Sequence, residues 1–163
     1  MSDRRVGIGF DAHRFAEGRP LVLGGVRLEH PRGLEGWSDA DALLHAIADA
    51  ILGAAALGDI GRHFPPDDLA WKDADSREIL QAAARLVSRD GWSIENVDAT
   101  VLAEAPRIGP HAGAMRAAIA AACGIDEGRV SVKATTMEGM GFLGREEGIA
   151  AMAVALLARG ESA

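Results

Sequence analysis

The stretch SDADALLHAIADAILGAAALGD, residues 38–59, says most about how this chain folds. Its apolar residues recur at helical spacing: Leu44, Ile47, Ala48, Ile51 and Leu52. Ser38 precedes Asp41 by three positions, a pattern related to the capping box that often opens a helix. We therefore expect a helix over residues 39–55.

Further elements are predicted on both sides of this helix. Strands are expected at residues 6–10, 94–103 and 130–136, and a hairpin at 21–28 with its turn at Gly24 and Gly25. Helices are expected at 76–89 and 110–124, with loops at 58–75 and 137–148. The final run, GIAAMAVALLARG (148–160), fits a helix or a buried strand equally well. Alternating helices and strands favour a two-layer α/β or α+β domain.

The composition is that of one globular domain spanning residues 1–163, with 48% hydrophobic and 25% charged residues. A net charge of −7 argues against a general nucleic-acid binder, because such proteins need a basic face. No run reaches the roughly 18 apolar residues of a membrane span, so we expect a cytoplasmic protein without a membrane partner. The single cysteine, Cys123, fits a small buried hydrophobe better than a catalytic thiolate.

Three side chains have the character of metal ligands. Asp11 and His13 stand two apart at the end of a predicted strand, and in an extended chain both would project from one face. His45 lies between Asp41 and Asp49 on the polar stripe of the predicted helix. Two histidines and a carboxylate can form a catalytic zinc site with one open position. The alternative is a chance pairing, with His45 an ordinary core or surface residue and the remaining histidines on the surface.

The segment KATTMEGMGFLGRE, residues 133–146, combines glycines, hydroxyls, a carboxylate and two cations after a predicted strand. Glycines allow a backbone to approach a phosphate closely, so that N–H groups and a cation converge on it. The segment therefore predicts a phosphate site. A flexible surface hairpin is the alternative that the composition leaves open.

Six blocks of the sequence occur in an order that is known from one family. They are GIGFDAHRF, LVLGGVRL, SDADALLHAIADAILGAAALGDIGRHFP, DSREIL, NVDATVLAEAPRIGPH and VKATTMEGMGF. Together they resemble the cyclodiphosphate synthases of the non-mevalonate isoprenoid pathway. The resemblance extends over nearly the whole chain, from about Val6 to Leu157.

The resemblance implies a fold, metals and an assembly. The fold is an α+β two-layer sandwich with a mixed four-stranded sheet and helices on one face. The assembly is a homotrimer with the sheets packed around the threefold axis and the active sites between neighbouring subunits. Asp11, His13 and His45 are implied zinc ligands, and Glu138 is implied to hold a second divalent ion, magnesium or manganese. Whether an isoprenoid diphosphate occupies the trimer axis stays open.

The resemblance also implies contacts with a cytidine diphosphate substrate. The methylerythritol phosphate portion is expected to contact Asp59, Ile60 and Gly61 and the following loop through Asp67, which includes Phe64. The nucleotide pocket is expected to be lined by residues 103–109 and 134–136, among them Ala103, Arg107, Ile108, Gly109, Ala134, Thr135 and Thr136. Further implied contacts are Ala12, Ser38, Phe142 and Arg145 together with the metal ligands Asp11 and His13. Thr136, Trp37 and Lys133 are the implied catalytic group, with Thr136 stabilising the transition state and Lys133 supporting the nucleotide end.

In the implied reaction, the 2-phosphate of the substrate attacks the β-phosphorus of its own cytidine diphosphate arm. A cyclic diphosphate closes and CMP leaves. Both reacting groups are anionic, so the main barrier is charge repulsion together with the entropy of folding the substrate back on itself. Cations and positioning lower this barrier. Two rival functions remain: a zinc phosphohydrolase that activates water, and an inactive, metal-stabilised binding trimer.

The sequence departs from the family pattern at a few positions. Trp37 stands where the family usually has a histidine that is thought to touch the phosphate under attack. The indole N–H can still donate one hydrogen bond to that phosphate, or Trp37 can simply pack against a loop. Arg107 replaces a frequent lysine and Gly109 a bulkier residue, which a backbone-lined pocket should tolerate.

Overall fold

The computed structural model describes residues 3–66 and 68–159. Its strands are β1 (Asp3–Ala16), β2 (Leu21–Leu23), β3 (Val26–Leu28), β4 (Gly33–Leu34), β5 (Ser93–Leu102), β6 (Val130–Thr135) and β7 (Gly148–Arg159). Five of them form one sheet in the order β4-β1-β7-β5-β6, and β2 pairs with β3 in the predicted hairpin. The sheet is mixed because β5 and β6 run parallel while all other neighbours run antiparallel.

The predicted number of four strands in the main sheet is wrong by one. β1 continues past the predicted residues 6–10 as far as Ala16. Its last two residues, Phe15 and Ala16, pair with the short strand β4. A strand of two residues carries no alternating pattern, so the sequence gives no signal for it.

The helices are α1 (Ala42–Ala54), α2 (Ile60–His63), α3 (Ser76–Arg89), α4 (Ala112–Cys123) and α5 (Gly141–Gly144). The prediction for α3 is confirmed at both ends. α4 begins two residues later than predicted because Pro110 lies in a separate 3₁₀ turn, Gly109–His111. The two predicted loops contain the short helices α2 and α5, each about one turn long.

α1 begins at Ala42 because Asp41 is its N-cap. The Asp41 carboxylate accepts a hydrogen bond from the Leu44 N–H at 3.0 Å and also accepts from two N–H groups at the turn of the β2–β3 hairpin. The predicted capping role of Ser38 is therefore wrong. Its hydroxyl accepts from the Ala40 N–H instead, and Ala40 has a positive φ of 59°, which interrupts the helix before Asp41.

The ambiguous final run is strand β7. Its backbone pairs with β1 on one side and with β5 on the other, so it is a central strand of the sheet. Ala151, Ala153 and Ala155 are buried on the side that carries α1. Alanine favours helices, but here two neighbouring strands satisfy the backbone and small side chains fit under the helix, so tertiary context decides.

α1 packs very close to β1. A Cβ atom built on Gly7 would lie 2.1 Å from the carbonyl oxygen of Ala50, and one on Gly9 would lie 1.9 Å from that of Ala46. Two glycines on the strand therefore let the helix backbone approach it directly. This approach brings His45 on α1 beside the second half of β1.

The opposite face of the sheet exposes apolar side chains. Val6, Ile8 and Phe10 on β1 and Met152 and Val154 on β7 are each between 42% and 68% exposed. Contiguous exposed apolar patches of this kind usually mark an interaction surface. None of the helices within residues 3–66 and 68–159 is both long and apolar enough to cross a bilayer.

Candidate metal centre and neighbouring cavities

Three side chains converge between β1 and α1. Asp11 Oδ2 lies 2.8 Å from His13 Nε2 and 3.1 Å from His45 Nδ1, and the two nitrogens are 3.3 Å apart. Ligand atoms about 2.0–2.1 Å from a tetrahedral ion are about 3.3 Å from one another. The three atoms therefore approximate one face of a tetrahedral metal site, with the fourth position open.

Hydrogen bonds outside the group orient the two histidines so that their ligating nitrogens point toward this face. His13 Nδ1 donates to the carbonyl oxygen of Glu35 at 2.7 Å, so neutral His13 presents the lone pair of Nε2 to the group. His45 contacts the Ser76 hydroxyl through Nε2 at 2.9 Å, and its Nδ1 faces Asp11. Within residues 3–66 and 68–159, this is the one cluster of three or more metal-ligating side chains with convergent ligand atoms. It can hold a divalent metal ion.

The two histidines keep Asp11 in the ionised form that a metal ligand requires. Burial alone would raise the pKa of the Asp11 carboxyl, but hydrogen bonds with His13 and His45 outweigh burial and hold this pKa well below its usual range. Burial likewise disfavours protonated His13, yet the hydrogen bond and charge of Asp11 raise its pKa above the ordinary value. Asp11 is therefore ionised at neutral pH, as a metal ligand must be.

The metal group opens into a cavity of about 220 Å³ with mainly apolar walls. The predicted residues that line it with the metal group are Trp37, Ser38, Ile60, Gly61 and Phe64. Asp59 does not line it, because its carboxylate caps α2 through the Arg62 N–H at 2.9 Å. Asp67 lies outside the described residues. Pro66, which belongs to the predicted loop, lines the cavity too. Trp71 and Ile79 line it and were not predicted, although Trp71 is an aromatic residue in the loop at 58–75.

Trp37 links the start of α1 to the loop at 58–75. Its indole N–H donates to the carbonyl oxygen of Asp68 at 3.1 Å, and its own carbonyl oxygen accepts from the Asp73 N–H at 2.9 Å. The Lys72 ammonium lies 6.0 Å from the centre of the Trp37 ring. A hydrogen bond from this N–H to a phosphate would have to replace the bond to Asp68. The alternative, in which Trp37 packs against the loop, is compatible with the bond to Asp68.

A second cavity, of about 390 Å³, lies where β5 and β6 end. The residues named for the predicted nucleotide pocket all line it: Ala103, Arg107, Ile108, Gly109, Ala134, Thr135 and Thr136. Glu104 and Pro106, which belong to the predicted range 103–109, line it as well, and Pro110 is a lining residue that was not predicted. The carboxyl ends of two parallel strands meet here, which brings these two separate blocks of the sequence together.

Glu104 organises the glycine-rich segment that follows β6. Its carboxylate accepts from the Met137 N–H at 2.7 Å, and the Thr136 hydroxyl donates to Glu138 Oε1 at 3.1 Å. Glu138 is exposed and lies outside the Asp11 group. Lys133 does not line the cavity and forms an ion pair with Asp98.

Two of the remaining predicted contacts lie on a third cavity, of about 560 Å³. Phe142 and Ala12 line it together with His13. Arg145 is not among its lining residues and pairs with Glu147 at 2.7 Å. His13 therefore connects this cavity with the metal group.

The metal cavity and the β5–β6 cavity lie apart within one chain and share no lining residue. Asp11 is level with Ala151 on β7, which is level with Val101 on β5, and Val101 is level with Ala134 on β6. Three strand spacings separate the first residue from the last, about 14 Å. One chain therefore presents two separate cavities at the same end of its sheet, the metal cavity and the β5–β6 cavity.

The family model of the YgbB family matches residues 4–158. The chain belongs to this family. Among its YgbB relatives, the 2-C-methyl-D-erythritol 2,4-cyclodiphosphate synthase of Bordetella petrii is 61% identical over 155 residues, which cover 95% of this chain and 96% of the relative. The resemblance to cyclodiphosphate synthases stated from the sequence blocks is confirmed.

Solved structures show the same YgbB fold. The bifunctional IspDF from Campylobacter jejuni matches with a TM-score of 0.94 and 42% identity, covering 98% of this chain and 43% of that chain. The Plasmodium falciparum IspF in complex with CDP matches with a TM-score of 0.84 and 33% identity, covering 97% of each chain. The α+β architecture predicted from the sequence is thus confirmed, apart from the number of strands.

Proposed function

We propose that this YgbB family member converts 4-diphosphocytidyl-2-C-methyl-D-erythritol 2-phosphate into 2-C-methyl-D-erythritol 2,4-cyclodiphosphate and CMP. The reaction is a phosphorus–oxygen lyase step of isoprenoid precursor biosynthesis. The observation that carries the proposal is the preformed triangle of Asp11, His13 and His45 in a chain 61% identical to a named synthase. We assign the whole of residues 1–163 to one such domain, acting in the cytoplasm.

The metal cavity would form one half-site, the metal half-site, and bind the phosphorylated methylerythritol portion. Asp11, His13 and His45 would hold zinc, which supplies Lewis-acid stabilisation to a phosphoryl oxygen. Ile60 and Phe64 give the cavity its apolar wall, which suits the carbon skeleton of the substrate and excludes water. No side chain needs to act as a nucleophile, because the phosphate of the substrate is itself the attacking group. The task of these residues is to position it.

The β5–β6 cavity would form the nucleotide half-site and bind the cytidine diphosphate arm. A CDP complex of the Plasmodium falciparum relative supports a nucleotide ligand for this fold. Thr135 and Thr136 present hydroxyls at the cavity, and Arg107 adds a cation. The Thr136 hydroxyl also holds the carboxylate of Glu138, the residue proposed for a second divalent ion, magnesium or manganese.

A homotrimer would complete the site. Attack of the 2-phosphate on the β-phosphorus requires both portions of one substrate to meet, yet the two half-sites of one chain are about 14 Å apart. The apolar face formed by Val6, Ile8, Phe10, Met152 and Val154 is available for packing around a threefold axis. We propose that the metal half-site of one subunit meets the nucleotide half-site of its neighbour.

Subunit mixing tests the shared site. His45→Ala chains lack the metal half-site and Thr136→Ala chains are altered in the nucleotide half-site. Each homotrimer should therefore show little turnover, whereas mixed trimers should recover part of it. Light scattering on a sizing column should report three chains per particle. A stable monomer with full activity would refute the shared site.

Product analysis by phosphorus NMR tests the reaction itself. The proposal predicts a cyclic diphosphate together with CMP, and no product when a strong chelator is present. Linear phosphates as the only products would identify a phosphohydrolase instead. A zinc-loaded trimer with no turnover would identify an inactive binding protein.

A further inference from the structure

The side of His45 that faces away from the metal group is bonded to a buried serine. Ser76 Oγ lies 2.9 Å from His45 Nε2, and Ser76 is fully buried while His45 is only 7% exposed. The same hydroxyl donates to Asp39 Oδ1. The Ser76 N–H donates to the other oxygen of Asp39 at 3.0 Å. Asp39 and Ser76 thus form a closed pair behind the histidine.

This pair decides which nitrogen of His45 carries the proton. A serine hydroxyl has one hydrogen, and an ionised carboxylate can only accept. Because the Ser76 hydrogen goes to Asp39, its oxygen must accept from His45, so the proton of neutral His45 is on Nε2. Nδ1 is then left with its lone pair facing Asp11 Oδ2 at 3.1 Å. The imidazole is held in the one tautomer that can ligate through Nδ1.

We propose that Ser76 and Asp39 are positioning residues that set the tautomer and orientation of His45 for zinc. The inference rests on the zinc site of the proposed function and extends it to two residues outside the ligand set. Ser38, whose hydroxyl is 3.4 Å from the same His45 nitrogen, is a weaker partner, because that hydroxyl also accepts from the Ala40 N–H. The hydrogen bond between Ser76 and His45 also joins α3 to α1, since Ser76 is the first residue of α3.

Zinc affinity is the direct test, measured by competition with a chromophoric chelator on purified, folded protein. Ser76→Ala should weaken zinc binding by about 10- to 100-fold, the usual effect of removing an outer partner of a ligating histidine. Asp39→Asn keeps the shape but loses the charge and should weaken it less. Ser76→Thr retains the hydroxyl and should recover most of the affinity. The matched control is Ser88→Ala, an exposed serine of the same helix, which should bind zinc like the wild type.

Nitrogen-15 NMR of the metal-free protein, at a pH where His45 is neutral, provides a readout that a purely structural role would not produce. Wild-type His45 should be protonated on Nε2, whereas Ser76→Ala should populate both neutral tautomers. In the zinc-loaded wild type, His45 should be ligated through Nδ1. The inference is overturned if His45 binds through Nε2. It is also overturned if Ser76→Ala lowers the melting temperature of the metal-free protein but keeps wild-type zinc affinity. If the wild type binds no zinc at all, the proposed function itself fails. The two outcomes above overturn only the role of Ser76 and Asp39 and leave the zinc site intact.

Discussion

The two half-sites are built in opposite ways. The metal group is made of side chains, and its histidines are fixed from behind by Glu35 and Ser76. The β5–β6 cavity is lined by small residues such as Ala103 and Gly109 and by exposed ones such as Arg107. A site made of ligating side chains depends on the identity and placement of each residue. A cavity lined by small residues depends mainly on the path of the chain, so substitutions there should have smaller effects, with the Thr136 hydroxyl as the exception.

The largest effect is expected from removing a metal ligand. His45→Ala or Asp11→Ala should abolish zinc binding and lower turnover by at least about 100-fold, because several kcal/mol of charge stabilisation are lost. Elemental analysis and steady-state rates measure both quantities. His111→Ala, a histidine outside the metal group, is the control and should retain about one zinc per chain. A fully active His45→Ala enzyme would show that the metal group is not needed for turnover.

Displacing a ligand without changing it should also have a large effect. In Gly9→Ala the new methyl group meets the carbonyl oxygen of Ala46 at 1.9 Å, so α1 must move away from β1. Overpacking of this kind usually costs roughly 1–3 kcal/mol of stability, and here it should weaken zinc binding because His45 moves with the helix. Denaturant unfolding and zinc affinity measure the two effects.

Gly113→Ala is the matched control for this substitution. Gly113 lies in α4, and a Cβ atom there meets nothing within 4 Å. Alanine at that position should stabilise the protein by roughly 0.5–1 kcal/mol and leave zinc affinity unchanged. Equal effects of the two alanines would show that the close approach of α1 to β1 does not set the metal site.

Local periodicity made Asp11, His13 and His45 candidate ligands, and the resemblance to the family implied that they form one ligand set. A two-residue spacing on a strand fixes Asp11 and His13, and an amphipathic pattern places His45 on a helix. Contacts between distant segments could not be predicted in this way. The cap at Asp41 depends on a hairpin that folds back onto the helix, and the bond from Ser76 to His45 depends on how α3 meets α1. β7 is a strand for the same reason, since its neighbours override its alanine content.

An intermediate effect is expected at Trp37, which borders the metal cavity without ligating. Trp37→Phe removes the hydrogen bond to the Asp68 carbonyl oxygen, whose net value is about 0.5–1.5 kcal/mol. If the indole holds the loop, KM should rise about 2- to 10-fold while kcat stays close to wild type. Trp37→His should remain active. A tenfold fall in kcat at constant KM would instead assign the N–H to the reacting phosphate.

The smallest effect is expected in the β5–β6 cavity. A Cβ atom on Gly109 meets nothing within 4 Å, so Gly109→Ala should change KM for the cytidine-linked substrate by no more than about twofold. Steady-state kinetics on zinc-loaded trimers would measure it. A change comparable to that of Gly9→Ala would mean that the nucleotide half-site is as sensitive to side chains as the metal half-site.

Zinc titration of metal-stripped protein decides whether zinc drives the cyclisation, with magnesium in excess and products followed by phosphorus NMR. Formation of cyclic diphosphate and CMP should rise in proportion to added zinc and reach a plateau at about one zinc per chain. Full cyclisation before any zinc is added, or zinc-dependent release of linear phosphates alone, would contradict a zinc-driven cyclisation.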